Sequence, residues 1–282
     1  MKLEAYLCRI GVEPGAPPLK ADLACLTRIM RAQSEAIAFE NIDVVCGRTI
    51  SMDRLNVERK LVQSQRGGYC WEQNTLLQMA LEEIGFDVVP LMCRVRWRKP
   101  DDALGPNTPF THMALKVSMA NGSLFLADVG FAGTNSIAPV ALGDSEPQLL
   151  PEGQFRVIDS RHTDFSVLQL LIKGEWNSLY EWRSERAPLV DMESANWFSC
   201  TYPRARFTTQ FFVCRTIGDE RHHILDAEYV VRRGHGIESR VDKFGIQSRQ
   251  QLLEVLRNTF GIELDTDTAQ MDALYRYLVP KA

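Results

Sequence analysis

The chain has no apolar run of 18 residues, and its first residues lack the charged-then-apolar pattern of a secretory signal. Neither a membrane span nor export is therefore expected. It has no surplus of either charge. Thirty-two basic residues face 36 acidic ones, for a formal charge of −4, which excludes the broad cationic field that nucleic acid or an anionic lipid surface requires. Its short basic stretches, 94–99 and Arg232-Arg233, read as solvated faces and leave room for a small anionic co-substrate at most. The seven cysteines, at 8, 25, 46, 70, 93, 200 and 214, are odd in number and scattered, with no C-x-x-C pair. That argues against a disulfide framework and against a zinc site, so no metal is expected. Internal repeats, low-complexity tracts, a phosphate-binding glycine loop and a dinucleotide fingerprint are all missing. The expected compartment is a reducing cytoplasm, where a cysteine with a role is a nucleophile rather than a crosslink.

What is present is an ordinary globular composition, 45% hydrophobic and 24% charged. A chain of 282 residues is long enough to bury a core without staples, and the length suggests about two domains. The first third reads as helical. Leu19, Leu23, Leu26 and Met30 fall on one stripe, Leu55, Lys60, Leu61 and Val62 suggest a shorter helix, and a third starts near Trp71 and ends at Gly85. From Phe86 the period changes to two. Residues 88–97, 113–119, 124–129, 155–158 and 165–172 read as strands, with a polar loop at 99–109. The last third mixes strand candidates at 207–216 and 224–231 with two helical segments. The first of these is capped by Ser248 with Gln251 and stopped by Gly261; the second carries Met271, Leu274 and Leu278.

The densest local signal is Arg66-Gly67-Gly68-Tyr69-Cys70-Trp71-Glu72-Gln73-Asn74. Two glycines allow a sharp turn, and Cys70 then opens a helix. Unpaired N–H groups and the helix dipole at that end favour a thiolate, the form that acyl transfer needs. A buried structural cysteine beside a tight loop is the competing reading. Of the five histidines, His162, His222, His223 and His235 lie in polar or turn-like stretches and read as surface residues. His112 opens the strand 111–117. Asp128 interrupts the apolar run 124–131, where a carboxylate is costly unless paired. An imidazole would pair with it, as an acid fixes the tautomer of a base. An edge-strand aspartate facing water is the alternative.

The turn Ala120-Asn121-Gly122 joins the two strands. A two-residue Asn121-Gly122 loop would set Asp128 across from Leu115, on the face opposite His112. A three-residue loop, with Gly122 left-handed, sets Asp128 across from Ala114 and makes His112 its diagonal neighbour. Diagonal pairs lie about 7–8 Å apart at Cα, within side-chain reach. A working His112–Asp128 pair therefore requires the three-residue loop.

Taken together, these blocks resemble the arylamine N-acetyltransferase family. The Arg66-to-Asn74 stretch resembles its nucleophile signature. His112 in Thr-His-Met and Asp128 in Asp-Val-Gly-Phe are similar to its histidine and aspartate blocks, and 38–43 to its Pro-Phe-Glu-Asn block. Pro188-Leu189-Val190-Asp191 and Asn196-Trp197-Phe198 resemble later landmarks, so the likeness spans 6–265. Ala38 and Trp71 depart from the pattern. The resemblance implies an α+β fold in three domains with a cysteine-protease-like catalytic core: a helical bundle (1–85) carrying Cys70, an antiparallel β-barrel (86–195) carrying His112 and Asp128, and an α/β lid (196–282). It implies a ping-pong reaction in which acetyl-CoA, as co-substrate, acetylates Cys70 and the acetyl group passes to an arylamine or arylhydrazine, as in xenobiotic metabolism. It further implies a Cys70–His112 ion pair, a structural ion pair of Glu40 with Arg66, and CoA or substrate contacts at Thr111, Gly130, Phe131 and Trp71.

Rival readings stay open on the residues alone. A papain- or transglutaminase-like hydrolase orders Cys, His and Asp in the same way, and would turn over peptides or esters without acetyl-CoA. A macrocycle-forming amide synthase of the same family would prefer a carrier-bound acyl chain. An inactive binding module would give no stoichiometric burst with a labelled acyl donor.

Overall fold

The computed structural model describes residues 1–13, 19–99, 108–134, 136–160, 164–234, 239–264 and 268–278. Most of the 99–109 loop, together with His162 and His235, lies outside them.

The first third folds as helices around one short strand: α1 (Leu3–Arg9), α2 (Leu23–Ala36), β1 (Phe39–Glu40), α3 (Ile42–Val45), α4 (Arg54–Glu58) and α5 (Cys70–Ile84). Asp22 caps α2 by accepting from the Cys25 N–H at 2.8 Å. Leu19 precedes the helix, and Leu55 is exposed rather than part of a buried stripe. After α4 the chain widens into a π-helical turn over Arg59–Gln63, closed by Ser64 N–H on the Arg59 carbonyl. Gly85, at φ +104°, ends α5 as expected.

The middle of the chain is β: β2 (Asp87–Val95), β3 (Phe110–Ser118), β4 (Leu124–Ala127), β5 (Val140–Leu142), β6 (Gln148–Leu150), β7 (Gly153–Asp159), β8 (Ser166–Ile172) and β9 (Glu175–Trp182). Among the described residues these eight form one antiparallel sheet in the order β5-β4-β3-β2-β9-β8-β7-β6. It curls into a nearly closed barrel. At the seam the Gln148 side chain takes the place of a strand, donating to the Ala141 carbonyl and accepting from the Ala141 N–H (2.9 and 2.8 Å). Leu91, Ala114, Leu126, Phe155, Leu179 and Tyr180 fill its interior. Arg96, expected on a solvated face, is buried and lies 3.6 Å from Glu181, its N–H tied to the Leu179 carbonyl at 2.8 Å, whereas Arg98 and Lys99 are exposed.

The last third comprises α6 (Leu189–Thr201), α7 (Arg206–Thr209), β10 (Phe212–Ile217), β11 (Glu220–Leu225), β12 (Glu228–Arg233), β13 (Arg240–Gly245), α8 (Arg249–Asn258) and α9 (Thr268–Tyr275). A second antiparallel sheet runs β1-β10-β11-β12-β13, so the first third supplies its edge strand. Three expectations need correction. The candidate strand 207–216 begins as the helical turn α7, because Phe207 packs its ring on Phe39 and Tyr69. The candidate strand 224–231 is a hairpin, turned at Asp226 with φ +51°. His222, read as a surface residue, is buried on β11, where its Nδ1 lies 2.8 Å from the Tyr229 hydroxyl. Ser248 does cap α8, accepting from the Gln251 N–H at 3.1 Å.

One core of helical and barrel residues joins the two parts: Leu26, Ile29, Tyr69, Trp71, Leu76 and Leu77 pack with Met113, Leu115, Val117 and Ala127. This packing of α5 on β2 and β3 brings the Cys70 motif to the hairpin.

Candidate active site

Cys70 is the first residue of α5 and is 2% exposed. The turn before it is held from below. Glu72 accepts from the Tyr69 N–H at 3.1 Å, the capping arrangement of an N3 glutamate. Gly68 has no room for a side chain, since a Cβ there would meet the Glu72 carboxylate at 2.8 Å. Tyr69 fixes its ring against Phe207 and hydrogen-bonds the Asn196 side chain.

The β3–β4 hairpin has the three-residue register: Leu115 pairs with Ala127 and Ser118 with Leu124. Met119 N–H bonds Ser123 O across the loop at 2.8 Å, and Gly122 has φ +83°. Asp128, one residue past β4, therefore lies on the face of His112, and His112 Nε2 is 2.7 Å from Asp128 Oδ2. Both are buried, at 2% and 6% exposure.

The second Asp128 oxygen is also satisfied. Oδ1 accepts from Asn74 Nδ2 and from the Gly130 N–H, each at 2.8 Å. Burial alone would push this carboxyl up, but the His112 charge and hydrogen bond, with these two donors, hold it below the usual carboxylate range. Asn74 does more. Its amide also donates to the Met113 carbonyl (2.6 Å), and its oxygen accepts from the Val129 N–H (3.0 Å). It stands four residues after Cys70, on the same face of α5, and clamps that helix to both strands of the hairpin. The sequence places Asn74 in the motif but assigns it no role, although its i, i+4 spacing from Cys70 is legible there.

The Cys70 sulfur donates to the Thr111 carbonyl at 3.6 Å. Thr111 is the extra residue of a β-bulge: Cys93 pairs with His112 but Arg94 with Phe110. The bulge breaks the ladder beside the cysteine and turns that carbonyl towards it. Burial, followed by the charge of Asp128, pushes the Cys70 thiol up; the N–H groups of Trp71 and Cys70 at the helix start pull it down. A thiolate here thus depends on a cationic partner.

The remaining expected site residues are spread around this centre. Phe131 lies edge-on to the His112 imidazole at 5.1 Å between centroids, and Tyr180, unremarked in the sequence, packs its ring at 4.9 Å from the same imidazole. Gly130 presses on Cys70 itself, since a Cβ there would lie 2.8 Å from Cys70 Cα. Trp71 has no exposed surface and sits in the core with Nε1 3.4 Å from Ser199 Oγ, not on an open rim. Glu40 and Arg66 pair at 2.7 Å beneath the turn. Among the described residues no group of three or more His, Cys, Asp or Glu is placed to hold a metal ion, and no helix is long and apolar enough to cross a membrane.

Comparison with known proteins agrees with this architecture. The sequence profile of the N-acetyltransferase family matches residues 22–269. An arylamine N-acetyltransferase of Mycolicibacterium smegmatis is 35% identical over 94% of this chain and 93% of its own length. The solved arylamine N-acetyltransferase of Mycobacterium marinum superposes with a TM-score of 0.90 at 29% identity, over 99% of this chain and all of its own. The same enzyme in complex with CoA superposes at 0.86, also at 29% identity, over 98% of each chain.

Proposed function

Because this chain belongs to the arylamine N-acetyltransferase family and is an acetyltransferase, we propose that it moves acetyl groups from acetyl-CoA to arylamines or arylhydrazines through Cys70, His112 and Asp128. The observation that carries this reading is the 2.7 Å contact of His112 with Asp128, on a hairpin whose bulge abuts the Cys70 sulfur.

In this mechanism Cys70 attacks the thioester carbonyl as a thiolate, its proton held by His112. The tetrahedral intermediate collapses to acetyl-Cys70, and His112 returns the proton to the departing CoA sulfur. An amine nitrogen then attacks the acetyl carbonyl, His112 takes the nitrogen's proton, and Cys70 leaves as the thiolate. Asp128 stays ionised throughout, which fixes the imidazole and stabilises its cationic form. Thr111 and Gly130 border the reacting sulfur and Phe131 packs on the His112 ring, which suits contact with the acyl donor or acceptor. Glu40 with Arg66 serves as structural support for the nucleophile turn. We propose 1–85, 86–195 and 196–282 as its domains and the cytoplasm as its compartment.

Intact-mass analysis with acetyl-CoA and no acceptor tests the reaction. A single acetyl adduct that disappears on adding an arylamine is expected, and none on Cys70→Ala or Cys70→Ser. An adduct of equal yield on Cys70→Ala would remove Cys70 from the mechanism.

A further inference from the structure

Beneath the nucleophile turn lies a set of charged side chains that the reaction above does not use. Lys60 Nζ lies 2.7 Å from Asp43 Oδ2 and 2.7 Å from Glu72 Oε1. Arg66 bonds Glu40 through Nη2 and Nε at 2.7 and 3.1 Å, and reaches Asp43 at 3.5 Å. Three carboxylates thus share two inner cations, and Arg48 touches Asp43 from a half-exposed position at 3.4 Å. The Glu72 side chain is 3% exposed. Without Lys60 it would be a buried carboxylate with one cation-binding oxygen empty, an arrangement that is strongly unfavourable.

The backbone is shaped to deliver Lys60 there. The π-helical turn Arg59–Gln63 carries it, and Arg66 N–H reaches back to the Lys60 carbonyl at 3.1 Å. Lys60 is thereby tied to the same loop that presents Cys70. Glu72 divides its two oxygens between Lys60 and the Tyr69 N–H, the amide immediately before the nucleophile. We propose that Lys60 is a positioning residue of the acetyl transfer: acting through Glu72, its ammonium holds the turn that presents Cys70 and cancels a negative charge that would otherwise oppose the thiolate. This rests on the reading of Cys70 as the nucleophile.

The electrostatic argument is one of sign. The amides at the start of α5 favour negative charge on the sulfur. A bare Glu72 carboxylate two residues on would work against them, and Lys60 neutralises it. The other groups acting on the sulfur are Tyr69 before it, Asp128 from the hairpin and Cys93 from β2, with His112 paired to Asp128; those acting on Glu72 are Lys60, Glu40 and, more weakly, Arg66. Burial pushes Glu72 up and leaves it raised although Lys60 draws it part of the way back down, while Lys60 itself is raised by Glu72, Glu40 and Asp43 against the effect of its burial.

The test is the pH dependence of Cys70 alkylation by iodoacetamide, read by intact mass on full-length protein. One unscreened charge in the adjoining turn, at an effective dielectric of about 20, is worth roughly one pH unit. Lys60→Met should raise the midpoint by about that amount, Lys60→Arg should keep it, and adding Glu72→Gln to Lys60→Met should bring it back down. Glu72→Gln alone preserves shape and the acceptor for Tyr69 N–H, and should lower the midpoint; it decides the matter if Lys60→Met does not fold. Midpoints that coincide with wild type in these variants, even with lowered melting temperatures, would leave Lys60 a purely structural ion and overturn the proposal. Alkylation reads the sulfur directly, so an error in assigning the nucleophile would show separately, as a wild-type protein that takes up no acetyl group.

Discussion

Replacing Gly130 with alanine adds one methyl group at the tightest point between the two halves of the site. Its Cβ would stand 2.8 Å from Asn74 Nδ2, 2.8 Å from Cys70 Cα and 3.2 Å from Cys70 Cβ. Non-bonded carbons settle at about 3.5–4.0 Å, so the Asp128–Gly130 segment and α5 must part by roughly 1 Å. Neither neighbour can give way cheaply. One is helix backbone, and the other is an amide held by three hydrogen bonds, to Asp128, Met113 and Val129. Overpacking of this kind costs about 1–3 kcal/mol, and at about 2–4 °C per kcal/mol for a chain of this size class the melting temperature should fall by several degrees. The chemistry should suffer more. The methyl group separates Cys70 from the segment bearing Asp128, and a misplacement of about 1 Å can cost about 100-fold. Single-turnover acetylation followed by intact mass measures the second effect and thermal unfolding the first. A Gly130→Ala protein that acetylates within about twofold of wild type would refute the claim that this contact sets the relation of Cys70 to His112. A melting temperature that falls without loss of rate would refute it equally, because the strain would have been absorbed elsewhere.

Two further predictions bear on the hairpin. At Gly122 (φ +83°) a side chain would meet nothing within 4 Å, so the cost of substitution there is purely conformational. Gly122→Val should destabilise by about 1–3 kcal/mol, and Gly122→Asn, which tolerates left-handed backbone, by clearly less; equal melting temperatures would refute the turn argument. The other prediction is of pH dependence. Burial and the Asp128 charge push the Cys70 thiol up, so alkylation that stays fast near pH 6 needs His112 to hold the proton and Asp128 to stabilise it. Asp128→Asn should then move the alkylation midpoint up, towards or beyond about 8.5. A sulfur titrating by itself would move the other way, because a nearby negative charge has been removed, and a fall would sink the ion-pair account.

Much of the scaffold could be read from residue patterns because the deciding interactions are local. The stripe from Leu76 to Ile84 with Gly85 behind it gives α5, and Ser248 gives the start of α8. The Ala120-Asn121-Gly122 turn leaves two registers open on sequence, and the condition that His112 and Asp128 share a face selects the three-residue loop that is present. The misses have distant causes. Phe207, Thr208 and Thr209 have strand-forming side chains, but Phe207 is drawn into helical geometry by Tyr69 and Phe39, far away in the chain. The hairpin at Asp226-Ala227 contains no glycine, and a lone Asp226 is a weaker turn mark than an Asn-Gly or Asp-Gly pair. The bulge at Thr111 has no sequence signature at all. His222 was placed at the surface by its charged neighbours, although strand alternation buries it and leaves the next residue half-buried.

The same distinction separates the two relations inside the site. His112 and Asp128 are 16 residues apart on one hairpin, so turn chemistry fixes their geometry and a slip of one residue destroys it. Cys70 meets them only through the packing of α5 on the barrel, by Asn74 contacts that span 39 and 54 residues, and no local rule sets such a distance. Damage to the two relations should therefore look different. A hairpin variant should separate His112 from Asp128 and be felt first in the pH response of the sulfur. A variant at Asn74 or Gly130 leaves the hairpin register in place and moves the sulfur relative to an intact His112–Asp128 pair, so it should be felt first in the acetylation rate. The precision of this site thus depends on one helix–barrel contact, and the absence of a side chain at Gly130 lets α5 come close enough to form it.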